Sequence, residues 1–562
     1  MKDNWNVVAK MPESLKDKFP EINPIILQLL FNRQITEQKQ IEEFITPDYS
    51  TDQNSPFLFR DMEKVLARIE QALSKHEKVV IHGDYDADGV CSTCLMHEVL
   101  TAIGIKNLSI YIPDRETEGY GLNMNTINNF IQAKVDLIIT VDCGIANAKE
   151  IAYALENKID TIITDHHAEP LDMPTSAVAI IDSAISSEPY PFKKLAGVGV
   201  AFKVAQALIK KYELGEGFEK WLLDLVAIST ITDCMPLLGE NRTLVKYGLM
   251  VLNKTKRLGL LELIKSIGNN FLSIDSHIVG FRLGPRLNAA GRMDHANSAY
   301  QLLATKDPAE SVDLSRQLNQ SNTNRQKITE KITNQAKEQI AGEIDESVYF
   351  AYHRDWPIGI LGLVAGKISD LYQKPTFIIT ENQGEITGSG RSIEQINIIE
   401  AIQQCEEYLS RFGGHAQACG FSLKNGASLS EFKIKLRRII GEKIKNKVLK
   451  KTVRIESEIT LSDITWELMN ELEKFSPFGE GNPKPLFLLK NLTIRDWQIV
   501  GQNNKHLRLI FEQDNIVKKA IGFNFGSFSD QIDRDKKIDI VAELDVNEWN
   551  GNKEQQLKIV DI

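Results

Sequence analysis

Aspartates and histidines occur in four short clusters between residues 82 and 233. The clusters are His82-Gly-Asp84-Tyr-Asp86-Ala-Asp88-Gly89, Asp142-Cys143-Gly144, Asp165-His166-His167 and Thr230-Ile-Thr-Asp233. A single aspartate after a strand means little, because it is commonly the N-cap of the next helix. Several carboxylates packed together repel one another strongly unless cations lie among them. If the fold brings these clusters together, they predict a metal centre.

The residue types favour hard or borderline divalent ions. Oxygen ligands with some imidazole suit Mn²⁺ or Mg²⁺ better than a thiolate zinc site does. Two such ions roughly 3.5–4 Å apart can activate a water and stabilise both oxygens of an in-line displacement at phosphorus. The six cysteines offer one CxxC, Cys91 and Cys94, but no second pair that would complete a zinc site. We expect both to be small buried helix residues.

Short apolar runs rich in Ile and Val lead into these clusters. The runs are 78–84, 108–114, 136–142, 160–165 and 177–182. Continuous rather than alternating apolar residues are typical of buried parallel strands, and the spacing between runs suits βαβ units. Ligands of open parallel sheets bind beyond the carboxyl ends of the strands. Three of the four acidic clusters fall at such ends, and the fourth lies in a predicted helix.

The whole chain is predicted to be an α/β multidomain protein. We expect an N-terminal helical region at 1–75, a parallel-sheet catalytic domain at 76–240, a helical region at 241–345, a smaller α/β domain at 346–445 and an OB-like β-barrel at 446–562. Pro308 can start a long polar helix to about Glu343, which would connect the two α/β domains. The alternating pattern after residue 453 indicates the barrel.

The clusters resemble the motifs of a known superfamily. HGDYDADG, VDCG and DHH resemble the first, third and fourth motifs of the DHH phosphoesterases, while 112–122 and 231–237 resemble the second motif and the late metal-binding motif. Residues 282–293, 359–367, 388–392 and 412–421 resemble the DHHA1-type substrate domain and its approach, and 477–485 the start of an OB-type domain. The resemblance covers nearly the whole chain. Cys419 and Lys367 depart from the usual Ala and Arg, away from the metal ligands.

The resemblance implies roles for particular residues. The implied metal ligands are His82, Asp86, Asp88, Asp142, His166 and Asp233. Asp142 would bridge the two ions, and His82 would complete the shell of one. His167 joins the catalytic set, either by contacting the scissile phosphate or as a histidine that orients the site. Asp84 fits equally well as a ligand and as a residue that supports a ligand, and Cys143 and Cys234 are assigned to packing.

Substrate binding needs cationic and hydrogen-bonding groups. Arg115, Arg292 and Arg391 lie in motifs of the family and could hold terminal or neighbouring phosphates. Ser389, in a turn between two glycines, could supply a hydroxyl and backbone N–H donors. Gly413, Gly414 and His415 are interpreted as a loop where the ligand comes close to the backbone. In the barrel, Trp497, Lys505, His506, Arg508 and Trp549 could stack bases and follow a phosphate backbone.

Three functions are compatible with the resemblance. The first is a 5′-to-3′ exonuclease that degrades single-stranded DNA to 5′-mononucleotides in recombination and repair; the polarity comes only from the resemblance. The second is a phosphodiesterase of short oligonucleotides or cyclic dinucleotides, which would not need the barrel. The third is a scaffold without activity, which the complete ligand set disfavours. The family also implies cooperation with a single-strand-binding protein and a helicase, and a monomer is assumed.

Composition adds weaker constraints. The 562 residues are 42% hydrophobic and 25% charged, and no apolar run is long enough to span a bilayer. The first residues lack an apolar signal region, so we expect a cytoplasmic protein without a membrane partner. The net charge of −10 argues mildly against nucleic acid. However, residues 433–454 contain ten Lys or Arg and one acid, which form either a solvated helix face or an electrostatic track.

Overall fold

The computed structural model describes residues 4–215, 217–268, 273–343, 346–382, 384–445, 449, 451–533, 536–549 and 551–562. The chain forms two compact units. The small unit comprises Met1–Gln53, Cys234–Tyr247 and Lys450–Ile562, and the large unit comprises Asn54–Asp233 and Gly248–Leu449. Among the described residues, no helix has both the length and the apolar character needed to cross a membrane.

The elements are numbered along the chain. The strands are β1 (Asn4–Val7), β2 (Val79–Gly83), β3 (Leu108–Tyr111), β4 (Leu137–Val141), β5 (Asp160–Asp165), β6 (Ala179–Asp182), β7 (Tyr349–Tyr352), β8 (Thr376–Asn382), β9 (Glu385–Arg391), β10 (Leu409–His415), β11 (Ala418–Leu423), β12 (Thr452–Ile455), β13 (Ser457–Glu458), β14 (Phe487–Val500), β15 (His506–Gln513), β16 (Ile516–Gly522), β17 (Ile538–Trp549) and β18 (Asn552–Asp561). The helices are α1 (Glu13–Lys18), α2 (Pro24–Asn32), α3 (Gln38–Ile45), α4 (Met62–Lys75), α5 (Ala87–Ala102), α6 (Met124–Gln132), α7 (Ala148–Glu156), α8 (Gly197–Lys211), α9 (Phe218–Trp221), α10 (Leu223–Thr232), α11 (Gly239–Leu252), α12 (Leu258–Ser266), α13 (Ser276–Ile278), α14 (Gly284–Met293), α15 (Asn297–Ala304), α16 (Pro308–Ile340), α17 (Ile358–Tyr372), α18 (Ile398–Gln403), α19 (Leu429–Ile444) and α20 (Trp466–Glu473).

The first sheet of the large unit is parallel throughout, with strand order β3-β2-β4-β5-β6. All five apolar runs form its strands, which confirms the predicted parallel sheet. Every residue of β2 and β4 is buried, as expected for Ile- and Val-rich strands covered by helices on both faces. Because the strands are parallel, their carboxyl ends lie along one edge, and the residues that follow β2, β4 and β5 meet there.

The second sheet of the large unit is mixed, with order β10-β11-β9-β8-β7. The predicted connecting helix is α16, which begins at Pro308 and is capped by Asp307, whose side chain accepts bonds from Ala309 N and Glu310 N. The interpretation of residues 413–415 as a loop was wrong. They form the end of the edge strand β10, because their backbone pairs antiparallel with β11 through Gly413 with Gly420 and Gly414 with Cys419.

The basic stretch contains the helix α19, whose cations are largely paired. Lys443 contacts Glu400 at 2.7 Å, Lys435 pairs with Glu407, and Arg437 lies 3.1 Å from a carboxylate oxygen of Glu343. Cations that are already neutralised by acids of the same unit make a poor track for a polyanion. For these three cations, the structure favours an ion-paired helix face over the electrostatic track.

The small unit contains the predicted barrel. Strands β14, β15, β16, β18 and β17 follow one another, and a further pairing of β14 with β17 closes the cylinder. The N-terminal helices pack on the barrel in one hydrophobic core; Leu27, Leu29 and Phe44 share it with Leu489 and Leu557. Strand β1 also pairs in parallel with β12. The two ends of the chain therefore form one folded unit, a contact that no short-range sequence pattern reveals.

A buried arginine joins three segments of the small unit. The Arg242 guanidinium donates to the carbonyl oxygens of Phe44, Lys474, Phe475 and Ser476 at 2.7–3.0 Å. It also lies 4.0 Å from the ring centroid of Phe44. Burial lowers the pKa of Arg242 to about 9, which reflects the cost of keeping a cation away from water. The arginine thus satisfies the carbonyl groups that follow the last turn of α20.

We expect Arg242→Met to lower the stability of the small unit by roughly 3 kcal/mol or more, because two buried and two part-buried hydrogen bonds to carbonyl groups would be lost. The measurement is urea unfolding followed by tryptophan fluorescence. Lys246→Met, which removes a cation from the same helix, is the control and should shift the transition little. Equal stability of the two variants would contradict this role of Arg242.

Candidate active site

The acidic clusters converge at the carboxyl edge of the parallel sheet. Asp86 is the N-cap of α5, and its Oδ1 accepts bonds from Asp88 N at 2.8 Å and Gly89 N at 3.2 Å. Asp86 is therefore a helix N-cap, as is common for an aspartate after a strand. Capping occupies only one of its two carboxylate oxygens. Asp142 follows β4, Asp165 ends β5, and Asp233 is the C-cap of α10. Asp84, Asp86 and Asp142 together can offer oxygens within 4.8 Å of one another.

Asp142 occupies the centre of this arrangement. It is 2% exposed, and its φ of 61° lies in the left-handed region, which few residues other than glycine adopt. Its backbone N–H donates to Thr164 O at 2.9 Å. A Cβ at Gly197 would lie 2.6 Å from its Oδ1, so only glycine leaves room for this carboxylate. Such local strain persists only where surrounding contacts enforce it, and it is typical of functional sites.

The imidazole of His166 links the carboxylates. Its Nε2 lies 3.1 Å from Asp142 Oδ1 and 3.7 Å from both Asp88 Oδ2 and Asp233 Oδ2. Asp88, His166 and Asp233 form a second group of potential ligands, and Asp142, His166 and His167 a third. Asp142 and His166 each belong to two groups. The geometry thus brings together five of the six predicted ligands, in three overlapping groups.

The electrostatics of the cluster call for cations. Burial raises the pKa of Asp142 well above its usual range, and repulsion by Asp88, Asp86 and Asp84 raises it further. Burial and the charge of Asp88 likewise raise the pKa of Asp233 to about 9. Burial lowers the pKa of His166, which favours the neutral imidazole that can donate a lone pair. Buried Asp84 Oδ1 and Asp142 Oδ1 accept no hydrogen bond. Oxygens left without donors, beside a neutral imidazole, fit divalent cations.

Two residues of the first cluster occupy different places. Asp84 lies within the group that contains Asp86 and Asp142, which supports its interpretation as a ligand. His82 belongs to none of the ligand groups found among the described residues. Its ring stacks on Tyr111 at 5.5 Å, and its Nδ1 lies 3.5 Å from Cys143 Sγ. Burial lowers the pKa of His82 to about 4, so this ring is neutral.

His167 is held by residues that the sequence analysis left without a role. Its Nδ1–H donates to Asp165 Oδ1 at 2.7 Å, and the backbone N–H groups of His166 and His167 donate to the same oxygen. Tyr120 donates its hydroxyl to the Asp142 carbonyl at 3.2 Å and lies 3.0 Å from His167 Nδ1. Burial opposes the charge of His167, but the bond to Asp165 raises its pKa to about 9. His167 is therefore a cation at neutral pH.

Asp88 depends on three donors that the sequence did not indicate. Gly197 N and Val198 N, at the start of α8, donate to its two oxygens at 2.7 and 2.8 Å, and the Ser229 hydroxyl donates as well. Backbone N–H groups at a helix start stabilise a buried carboxylate through unpaired donors and the helix dipole. The sequence signal was the LAGVGVAF segment, a glycine-containing turn before a helix, which was not interpreted.

The predicted phosphate-binding arginines form a second group beside the acids. Arg115 lies over the Tyr85 ring at 4.7 Å, Arg292 donates to Gly359 O at 3.1 Å, and Arg391 donates to Ser389 Oγ at 2.9 Å. Burial lowers the pKa of Arg292 to about 10, and the charges of Arg115, Arg325 and Arg391 oppose its protonation. Arg325, on α16, also belongs here although no sequence motif indicated it, and its buried Nε has no hydrogen-bond partner among the described residues.

The remaining candidates divide into two sets. The prediction of a turn at Ser389 was wrong, because Ser389 lies within strand β9. It belongs to the arginine group through Arg391 and also donates to Cys419 O at 3.3 Å. Gly413, Gly414 and His415 are exposed on the edge strand β10. Cys91, Cys94 and Cys143 are buried as expected. The packing role assigned to Cys234 was wrong, because its side chain is exposed where the backbone turns through a left-handed φ of 56°.

The barrel carries a groove of about 450 Å³. Trp497 and Arg508 line it together with Lys519, Gln498 and Gln556. Lys505 and His506 lie instead at the turn that leads into β15, where His506 Nδ1 accepts a bond from Asn524 N at 3.1 Å. The side chain of Trp549 lies outside the described residues. The groove thus contains two of the five proposed contacts.

The fold and the site define a phosphoesterase of the DHH class. Three family models match: the DHH family N-terminal domain over residues 78–230, the DHHA1 domain over 345–442 and the RecJ OB domain over 455–561. The third model describes the OB domain of RecJ. The chain belongs to the family of the single-stranded-DNA-specific exonuclease RecJ.

Relatives match over almost the whole chain. RecJ of Bacillus subtilis is 38% identical over 100% of this chain and 71% of its own length, and RecJ of Haemophilus influenzae is 30% identical over 96% of each chain. The crystal structure of RecJ from Thermus thermophilus in complex with Mn²⁺ aligns with a TM-score of 0.85 at 27% identity. This alignment covers 99% of this chain and 79% of that one.

We expect Gly197→Ala to lower hydrolytic activity about 100-fold, because the added methyl group would displace the Asp142 carboxylate, and displacements of about 1 Å in a catalytic site have effects of this size. Gly199→Ala is the matched control: it lies on the same helix, and its Cβ would meet only Leu195 carbons at 3.3 Å or more. Initial rates with Mn²⁺ and circular dichroism separate activity from folding. Similar rates for both variants would argue against the crowding of Asp142.

Proposed function

We propose that this protein is a metal-dependent 5′-to-3′ exonuclease that degrades single-stranded DNA to 5′-mononucleotides. The proposal rests on two neighbouring sites of opposite charge. One is a cluster of potential cation ligands, and the other is the arginine group beside it. Burial and the charge of Asp86 raise the pKa of Asp84 well above its usual range, and the nearby charge of Arg115 offsets part of this increase. Burial lowers the pKa of Arg292, and the charge of Asp86 offsets part of that decrease. A phosphate held by the arginines would present the next phosphodiester to the acidic cluster, so that cleavage would release one nucleotide.

We assign the metal ligands as Asp84, Asp86, Asp88, Asp142, His166 and Asp233, which would hold two Mn²⁺ or Mg²⁺ ions. Bound there, such ions supply the activation of water and the charge neutralisation that phosphodiester hydrolysis requires. Asp142, which takes part in two ligand groups, is the proposed bridge. His82, outside these groups, is assigned to positioning Cys143 and the strand end. This role for His82 differs from the expectation that His82 completes the shell of one metal.

His167 is assigned to the scissile phosphate. Its Nδ1 is occupied by Asp165, which leaves Nε2–H as the remaining donor of a cationic ring. A cation fixed in this way can stabilise negative charge that develops on a phosphate oxygen. Asp165 and Tyr120 act as positioning residues, since each contacts His167 and holds the ring orientation.

Single-stranded DNA is the proposed polymer, and the barrel groove supports this assignment. Trp497 beside Arg508 and two glutamine amides offers stacking and polar contacts to a strand, whereas Lys519 in the same groove is paired with Glu554 at 2.8 Å. A single-strand-binding protein and a helicase stay predicted partners. The cytoplasmic location and the monomeric state also stay predictions. A phosphodiesterase of short oligonucleotides is the second candidate, because the same metal chemistry serves both.

The test uses purified protein with Mn²⁺ and two single strands, labelled at either the 5′ or the 3′ end, beside a blunt duplex and a dinucleotide. Immediate release of 5′-labelled mononucleotide, gradual shortening of the 3′-labelled strand and a resistant duplex are expected. Asp142→Ala is the inactive control. Cleavage of the dinucleotide with intact long strands would instead support the small-substrate phosphodiesterase, and release from the 3′ end would overturn the polarity.

We expect Arg391→Ala to weaken binding of 5′-phosphorylated strands by about 30-fold, because a buried, charged donor to phosphate would be lost. Mn²⁺ binding, measured by calorimetry, should stay unchanged. Arg411→Ala is the control, since Arg411 is exposed and pairs with Glu385 on the same sheet. Loss of Mn²⁺ binding with unchanged affinity for DNA would refute the phosphate-binding role of Arg391.

A further inference from the structure

A second cavity, of about 310 Å³, opens in the large unit. Small-molecule sites commonly have volumes of roughly 300–1,000 Å³, so this cavity can admit one small ligand but not a polymer. Its walls come from α5, from the junction of α9 and α10, from the start of α12 and from the end of α15 with the residues that follow it. No residue of the acidic cluster or of the arginine group lines it.

A buried ion-pair network forms one side of the cavity. Arg257 Nε lies 3.1 Å from both carboxylate oxygens of Asp224, and its Nη2 donates to Glu98 Oε2 at 3.1 Å. The Thr255 hydroxyl also donates to Asp224, whose side chain is almost fully buried. Glu98 is more accessible, at 35% exposure, and it accepts only from Arg257 and Cys94. Its carboxylate therefore keeps a lone pair for a ligand.

Cations and an exposed indole line the other side. Lys256 Nζ lies 4.1 Å from the centroid of the Trp221 ring, which positions the ammonium group by a cation–π contact. Trp221 is 42% exposed, and Lys306 is exposed as well. Neither ammonium group has an acidic partner within the described ranges of the chain. The side chains of Leu258 and Leu303 add apolar surface.

This combination of groups favours a particular kind of ligand. A bare inorganic anion would be attracted by Lys256 and Lys306 but repelled by Glu98, and a simple amine would meet the reverse. A ligand that carries negative charge and also a hydrogen-bond donor satisfies both. A flat ring would in addition bury its faces against the indole and the leucines. A nucleoside monophosphate with an exocyclic amino group on its base has all three features.

The cavity is also distant from the proposed metal ligands. Helix α5 carries Asp88 in its first turn and Glu98 about 15 Å further along its axis, at about 1.5 Å per residue. Helix α10 carries Asp224 in its first turn and ends at Asp233, about 14 Å further on. The cavity thus lies at the opposite ends of two helices that lead to the acidic cluster.

We propose that this cavity is a binding site for one nucleoside monophosphate, separate from the catalytic centre. Lys256 and Lys306 hold the phosphate, the base packs against Trp221, and Glu98 accepts a hydrogen bond from the exocyclic amino group. The site goes beyond the proposed exonuclease function, because it uses none of the residues assigned to hydrolysis and needs no metal ion.

The test is calorimetry of the full-length protein with dAMP in the presence of EDTA. Binding of dAMP should be at least about tenfold tighter than binding of deoxyadenosine, 2-deoxyribose 5-phosphate or inorganic phosphate, because phosphate and base both contribute. The double substitution Lys256→Met and Lys306→Met should weaken dAMP binding about tenfold or more, since charge-assisted contacts to phosphate are lost. Lys254→Met, an exposed lysine of the same segment outside the cavity, is the matched control.

Two further substitutions locate the base and exclude the arginine group. Trp221→Ala should weaken dAMP binding about tenfold, whereas Trp466→Ala, a tryptophan of similar exposure in the small unit, should not. Arg391→Ala should leave dAMP binding unchanged. Binding that is lost in Arg391→Ala but kept in the cavity variants would overturn the site. Equal affinity for dAMP and inorganic phosphate would also overturn it, as would no dAMP binding by the wild-type protein. Cleavage of labelled strands is measured separately, so none of these results decides the exonuclease proposal.

Discussion

Electrostatic repulsion among buried carboxylates is the constraint around which the large unit is built. Buried Asp84, Asp88 and Asp142 meet half-buried Asp86 and Asp233, and each raises the energy of the others' charged forms. The protein offsets part of this cost with fixed dipoles. The start of α8 donates two N–H groups to Asp88, and the start of α5 donates two to Asp86. Cations would supply the remainder, which explains why oxygens such as Asp142 Oδ1 have no hydrogen-bond donor.

The same constraint accounts for the neighbouring arginines. The acidic cluster and the neighbouring arginine group produce electrostatic fields of opposite sign over a short distance. This arrangement suits a ligand with successive phosphates, one held by arginines and the next by cations. The net charge of the chain, −10, says nothing about this arrangement, because it sums 76 acids and 66 Lys or Arg over the whole chain. Helix α19 shows the converse, because Lys435, Arg437 and Lys443, in a run that is basic in sequence, are paired with acids in the fold.

The helical segment from Val279 through α14 joins the acidic cluster to the arginine group. It touches the end of α10, the start of α5 and the arginine group. A rigid element that touches each point fixes their spacing, as a catalytic constellation requires. The small unit is held together differently. Its barrel shares one hydrophobic core with the N-terminal helices, and Arg242 donates hydrogen bonds both to Phe44, in α3, and to the segment after α20.

The sequence by itself determined the five parallel strands, the long helix α16, the barrel and most of the cluster. Continuous Ile and Val runs fix buried strands, and parallel strands place the residues that follow them at one edge. Only the tertiary structure decided that His82 turns toward Tyr111 and Cys143, that Ser229 and the start of α8 support Asp88, and that Gly413–His415 extend a strand. These outcomes depend on contacts between residues far apart in the chain. Local pattern carries no information about such contacts, because backbone pairing and the position of a side chain's partner are set by packing.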